Sequence, residues 1–238
     1  MRRFTRKLLL ALLGALTLTA LTAQANEALI RKTLEARVQG IKIDGVMKTP
    51  YLGLWEVRVG DELLYTDEKV SYIFSGSVLD GRNMKNLTEE RLQKLTAIKF
   101  DDLPLAQAVK VVRGNGRRQL AVFEDPNCGF CKRFEQDLAK LDDVTVYVFL
   151  YPILSQNSVD KSKAVWCAPD RAKAWSDMML TSNTPSVARN CDNPVEKNLE
   201  LGRKMRIDGT PTTFLPSGER IVGARFNDIK VALDAAAK

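Results

Sequence analysis

The sequence predicts two folded units in series, a small α+β unit followed by a larger α/β unit that carries a helical insert. Three observations carry this. Leu54 to Val59 alternates apolar and polar residues with a period of two and runs into turn signals. A strand–helix–strand order occupies residues 119–150. A Lys- and Asp-rich helical stretch over 158–205 separates that order from a closing strand pair and a last helix.

The 238 residues suffice for one large domain or two ordinary ones, and 45% hydrophobic with 27% charged residues suits a packed core. The formal net charge is +7, but Arg2, Arg3, Arg6 and Lys7 lie in the first seven residues, and without them it is +3. That is an ordinary surface charge, and it points to no nucleic acid or other anionic partner. Residues 1–25 read as a secretory signal: a basic start, an apolar run from Leu8, and Ala23-Gln24-Ala25 as a small-x-small cleavage site. Thr17, Thr19 and Thr22 interrupt the run before the ~20 apolar residues a membrane anchor needs. The mature chain is expected to start at Asn26 and to work outside the cytosol, where disulfides persist.

Between Glu27 and Val38, Ile30, Leu34 and Val38 recur at every fourth position, as on one face of an amphipathic helix. Leu54 to Val59 is a half-buried strand, Gly60-Asp61 a turn, and Leu63 to Thr66 the start of a partner strand. Val70 to Phe74 reads as a third strand ended by Gly76. Residues 26–87 contain no Cys and no clustered acid–base set, so their expected role is structural or in assembly. A helix from Thr88 to about Ile98, with Leu92 and Leu95 on one face, breaks at Asp101 to Pro104, which makes residues 88–104 a linker.

The second domain covers residues 105–238. Ala108 to Val112 and Gln119 to Phe123 are apolar runs on either side of Gly114-Asn115-Gly116, a strong turn signal. Cys131, Phe134, Leu138 and Leu141 then recur at helical spacing, and Val144 to Leu150 is a further strand. After the insert come Gly209 to Leu215, a hairpin to Ile221-Val222-Gly223, and a helix from Asn227 to Ala237. This order describes a thioredoxin-like α/β fold with a helical insert.

The chemistry concentrates at Cys128-Gly129-Phe130-Cys131. A Cys-x-x-Cys between strand and helix places the first sulfur at a helix N-terminus and the second one turn on. Unpaired N–H groups and the helix dipole there favour a thiolate, which is the nucleophile of disulfide exchange. Lys132 and Arg133 add a small positive field, and Gly129 offers no side chain to shield the sulfur. Cys131 is the expected resolving thiol. Metal binding fits poorly: the chain has no His, and Cys167 and Cys191 stand 24 positions apart rather than as a second close pair. No cofactor is called for. With Cys128 and Cys131 as a redox pair, Cys167 and Cys191 are left as a structural disulfide of the insert, worth roughly 3 kcal/mol on the chain-entropy model. Thr210-Pro211 is either a strand start facing the cysteines or ordinary turn chemistry, and the residues alone leave both open.

Phe123-Glu124-Asp125-Pro126-Asn127-Cys128-Gly129-Phe130-Cys131-Lys132, Ala164-Val165-Trp166-Cys167-Ala168 and Gly209-Thr210-Pro211-Thr212 together resemble the bacterial DsbC/DsbG family of periplasmic disulfide isomerases. The resemblance implies a homodimer built by a cystatin-like N-terminal domain, with thioredoxin-like catalytic domains facing an apolar cleft. It implies a cis Pro211 against the cysteine pair and a structural Cys167–Cys191 bridge. The expected partners are unfolded or misoxidised exported proteins and an inner-membrane thiol reductase of the DsbD type. Two other readings are a DsbG-like protector of single oxidised cysteines and a holdase chaperone. The chain departs from the family pattern in having Phe130 where Tyr is frequent. Many thioredoxin-like proteins place an acid six residues before the first Cys; here that residue is Val122, which leaves Glu124 and Asp125 as candidate proton acceptors.

Overall fold

The structure, a computed structural model, describes residues 26–236 except Ala188. The segment read as a signal, residues 1–25, lies outside the described residues. The described chain divides after Leu92 into two compact units. Among the described residues, no helix is long and apolar enough to cross a membrane.

In the first unit, helix α1 spans residues 26–37 and buries Ile30 and Leu34 as their spacing predicts, whereas Val38 falls just past the helix end and is exposed. Both pack with Ile43, Val46, Trp55, Val57 and Val70. The sheet is antiparallel in the order β1 (Gly45–Lys48), β2 (Trp55–Val59), β3 (Glu62–Thr66), β4 (Ile73–Ser75). Val59 pairs with Glu62, so Gly60-Asp61 is the two-residue turn that the sequence indicates. Two details differ from the pattern. Glu56 on β2 is buried rather than exposed, because Arg91 Nε donates to its carboxylate at 3.1 Å. The third strand starts at Ile73 instead of Val70, because the Asp67 side chain accepts from the N–H groups of Lys69, Ser71 and Tyr72 and holds residues 67–72 as a loop. A two-stranded ribbon, β5 (Leu79–Asp80) with β6 (Lys85–Asn86), leads into helix α2 (Leu87–Thr96).

The second unit is a five-stranded sheet in the order β11-β10-β8-β9-β7. Its strands are β7 (Val109–Arg113), β8 (Arg118–Glu124), β9 (Val144–Leu150), β10 (Thr212–Phe214) and β11 (Arg220–Val222). The Gly114-Asn115-Gly116 turn joins β7 to β8, yet the two strands are not neighbours. β9 inserts between them, parallel to β8 and antiparallel to β7. The turn instead packs on the start of β9: a Cβ on Gly116, at φ +66°, would sit 2.7 Å from Thr145 Oγ1.

Alternation along β8 sends Leu120 and Val122 to one core and Ala121 and Phe123 to the other. The first core is closed by α3 (Gly129–Leu138), α5 (Arg171–Thr181) and α7 (Phe226–Ala236), through Phe134, Leu138, Trp175, Met178, Ile229 and Leu233. On the other face Phe123 stacks on Phe149 at 4.6 Å, with Tyr151 and Phe214 edge-on. The insert is α4 (Gln156–Cys167), α5 and α6 (Val195–Lys204).

Candidate active site

β8 is the central strand of its sheet, and from Leu120 onward every residue of it is buried. Where it ends, the chain leaves the sheet through Asp125-Pro126-Asn127 and turns back as α3. Asp125 fixes this exit. Its carboxylate accepts from Asn127 N–H at 2.7 Å and Leu154 N–H at 2.9 Å, and its carbonyl accepts from Cys128 N–H at 3.0 Å. The Asn127 amide then reaches the first turn of α4, donating to Asn157 Oδ1 and Ser158 Oγ at 3.0 Å, while Lys161 Nζ donates to Asn127 Oδ1 at 2.7 Å. The residue before the first cysteine is thus tied to a second helix.

Cys128 is the N-cap of α3, with extended backbone, and its Sγ accepts from Cys131 N–H at 3.3 Å. The sulfur itself donates to the carbonyl of Thr210 at 3.3 Å. The Thr210–Pro211 peptide bond is cis, and the Pro211 carbonyl accepts from Gly223 N–H at 2.8 Å, which ties this segment to the end of β11. Gly129 faces open space, and Phe130 is 61% exposed beneath the Arg133 guanidinium, 5.1 Å from its ring centroid. Cys128 is 6% exposed and Cys131 0%. Burial pushes the Cys131 thiol up, and the nearby Glu124 carboxyl pushes it further. A thiol with a buried sulfur on one side of an open glycine and a second, fully buried thiol one turn on is an arrangement suited to ordered attack and resolution.

The fold therefore brings Cys128, Gly129, Phe130, Cys131, Thr210 and Pro211 to one place. Cys167 and Cys191 are bonded to each other, with Cα atoms 5.8 Å apart. That bridge joins the end of α4 to the segment before α6, where Trp166 Nε1 donates to the carbonyl of Asp192 and carries Arg171 3.8 Å over its ring.

Of the polar groups under the cysteines, sequence reasoning named Glu124 but missed Glu135 and Arg113. Glu124 shares the parity of Leu120 and Val122 and is fully buried, as is Glu135, which follows Cys131 at i+4 on the core face of α3. Trp175 Nε1 donates to Glu135 Oε1 at 2.8 Å, and Arg113 lies 3.7 Å from Oε2. The available signal was an acid on an otherwise apolar helix stripe.

Residues 21–89 match the disulfide bond isomerase protein N-terminal domain, and residues 105–236 match the thioredoxin-like domain. The probable thiol:disulfide interchange protein DsbC of Bordetella parapertussis is 47% identical over 199 residues, covering 84% of this chain and 71% of the relative. The chain belongs to the DsbC family. Escherichia coli DsbC is 27% identical over 207 residues, 84% of each chain. A disulfide interchange protein from Neisseria gonorrhoeae, known by its crystal structure, superposes with a TM-score of 0.52 at 42% identity, covering 55% of this chain and 98% of that one. As a DsbC-family member the chain is a thiol–disulfide oxidoreductase of the disulfide isomerase class, built from a DsbC-type N-terminal domain and a thioredoxin-like domain.

Proposed function

We propose that Cys128 is the attacking thiol and Cys131 the resolving thiol of an isomerase that rearranges wrong disulfides in exported proteins. The observation that carries the assignment is the placement of Cys128 Sγ at the α3 N-cap, between Cys131 N–H and the Thr210 carbonyl. Cys128 attacks a substrate disulfide, joining one substrate sulfur to itself and releasing the other as a thiolate. A substrate thiol then displaces Cys128, which is isomerisation, or Cys131 does, which leaves the substrate reduced and the enzyme oxidised. Thr210 and Pro211 frame the sulfur, while Gly129 and Phe130 leave it an open, apolar approach suited to unfolded chains.

The same reading puts the mature protein in the periplasm after loss of residues 1–25, with an inner-membrane reductase of the DsbD type returning Cys128 and Cys131 to dithiols. It also takes the protein as a homodimer assembled through residues 26–87, with 88–104 as linker. Support for the dimer comes from β4, an edge strand whose neighbourhood exposes Tyr72, Ile73 and Phe74 in succession. Such an apolar edge is a surface that pairing with a second copy covers.

Recovery of activity in a scrambled ribonuclease is the test. Wild type should restore it, and Cys128→Ala should not. Equal recovery by both would leave only holdase behaviour and would remove the enzymatic assignment.

A further inference from the structure

The surroundings of Cys128 hold three cations that the fold leaves without an acid. Lys132 follows Cys128 by one turn of α3, and its backbone N–H donates to the Cys128 carbonyl at 3.1 Å. At 3.6 residues per turn it lies about 40° around the helix from Cys128, on the same side of α3. Arg133 is exposed, and its guanidinium is stacked 5.1 Å from the ring centroid of Phe130, two residues after Cys128. Lys161 comes from α4: its Nζ donates at 2.7 Å to Oδ1 of Asn127, the residue before Cys128. Among the described residues, none of the three forms an ion pair.

The acids of the same elements are already engaged. Asp137 on α3 pairs with Lys140 at 2.6 Å, and Asp160 on α4 pairs with Arg189 at 3.4 Å. Asp125 is buried and its carboxylate accepts two backbone N–H groups, while Glu124 and Glu135 are buried in the core. Asp208, exposed two residues before Thr210, is the counter-charge on the cis-proline side. The approach to Cys128 is therefore cationic from its α3 and α4 sides. Two of these cations are also held in place, Arg133 by the Phe130 ring and Lys161 by the Asn127 amide. Holding them lowers the side-chain entropy that pairing with an incoming carboxylate would cost.

We propose that Lys132, Arg133 and Lys161 form a selectivity rim, through which Cys128 reacts first with disulfides that carry an acidic side chain next to the cysteine under attack. The proposal rests on Cys128 as the attacking thiol and names the class of exported chain that it reaches fastest. The rim acts on the encounter, before any bond changes, and the exchange that follows is unaltered. A carboxylate beside the substrate disulfide pairs with Arg133 at the edge of Phe130, whereas a basic residue in the same place meets three like charges. Opposite charge speeds such an encounter, like charge slows it, and salt screens both. The Cys128 thiolate repels a carboxylate, one charge against three, and comparison with a small thiolate that has no rim removes this contribution.

The probes are disulfide dimers of three blocked dipeptides, Asp-Cys, Ala-Cys and Lys-Cys, mixed with mature protein whose Cys128 and Cys131 are reduced. Acid quenching and alkylation give a rate for each dimer, which is divided by the rate of 2-mercaptoethanol thiolate with the same dimer. The normalised Asp-to-Lys ratio should be about tenfold or more at roughly 20 mM salt and should fall to about twofold at roughly 0.5 M. Arg133→Gln should lower the low-salt ratio roughly threefold, and Arg133→Glu should bring it to about one. Lys161→Gln, which keeps a donor for Asn127, should lower it by a smaller step. The ratio isolates selection, because a change in the Cys128 thiolate itself alters all three dimers alike. A wild-type ratio within about twofold of one at low salt, a ratio that salt leaves unchanged, or a wild-type ratio in Arg133→Glu overturns the proposal. Wild type that reacts with none of the dimers, Ala-Cys included, would instead remove the Cys128 assignment, and the rim with it.

Discussion

Cys128 and Cys131 stand three positions apart in one motif, yet α3 gives them different surroundings. Cys128 sits at the open N-cap beside Gly129, while Cys131 is fully buried with its thiol pushed up by desolvation. Iodoacetamide should therefore modify Cys128 first in the reduced protein, with Cys131 slower by about tenfold or more. Peptide mass mapping over a time course checks this, and early labelling of Cys131 would reverse the assigned roles. Cys131→Ser should accumulate mixed disulfides with substrates, since no resolving thiol remains. Glu124 makes a separate prediction about stability. Burial raises its carboxyl in the folded state, so folding binds its proton more tightly than the unfolded chain does. The stabilisation is fully present below the ordinary carboxylate range and is lost as pH rises through the raised folded-state value. Urea midpoints of wild type should fall across that window, and those of Glu124→Gln should stay flatter. A parallel fall in both would show that another group is responsible.

At the level of elements, the site depends on how β8 hands the chain to α3. Asp125 accepts two backbone N–H groups, from Asn127 and Leu154, and thereby joins the β8 exit to the segment ahead of α4. Asp125→Ala leaves both donors without their partner and should cost about 1–3 kcal/mol in urea unfolding. Asn127→Ala removes only the side-chain tether to α4, so it should destabilise less than Asp125→Ala while still slowing Cys128 alkylation. An Asn127→Ala protein alkylated at the wild-type rate would show that the tether does not position Cys128. The Cys167–Cys191 bridge belongs to the insert and closes the far end of α4. Replacing both cysteines by Ser should cost roughly 3 kcal/mol on the chain-entropy model and leave Cys128 reactive. Mild dithiothreitol should likewise open a Cys128–Cys131 disulfide well before the bridge, as mass mapping would record.

For the molecule as a whole, the proposed dimer places the active sites of two copies in one particle. Light scattering of the mature protein should give twice the monomer mass, and a fragment starting near Leu105 should be monomeric. Phe74→Lys, on the exposed β4 edge, should shift the mature protein toward monomer without altering Cys128 alkylation. A mature protein that is monomeric at all concentrations would remove the dimer reading, and a dimeric fragment would move the interface out of residues 26–87.

The sequence by itself determined what depends on local pattern. Helical spacing in Glu27–Val38 and Cys131–Leu138, strand alternation near Leu54–Val59, and the apolar run Val144–Leu150 each specify an element whose type follows from its own residues. Cys-x-x-Cys between a strand and a helix likewise specifies a helix-capping sulfur, and pairing of Cys167 with Cys191 follows once Cys128 and Cys131 are set aside. Tertiary structure decided what depends on partners distant in the chain. The loop at residues 67–72 replaced the start of a strand because Asp67 captured three backbone N–H groups. Strands β7 and β8, joined by a hairpin-like turn, were separated because β9 supplied the buried neighbour that central β8 requires. Thr210–Pro211 came to face Cys128 across 82 positions of sequence. The Glu135–Arg113 pair stayed hidden for the same reason: each residue looks like a surface charge in its own segment, and only packing of α3 and β7 around one core makes them neighbours.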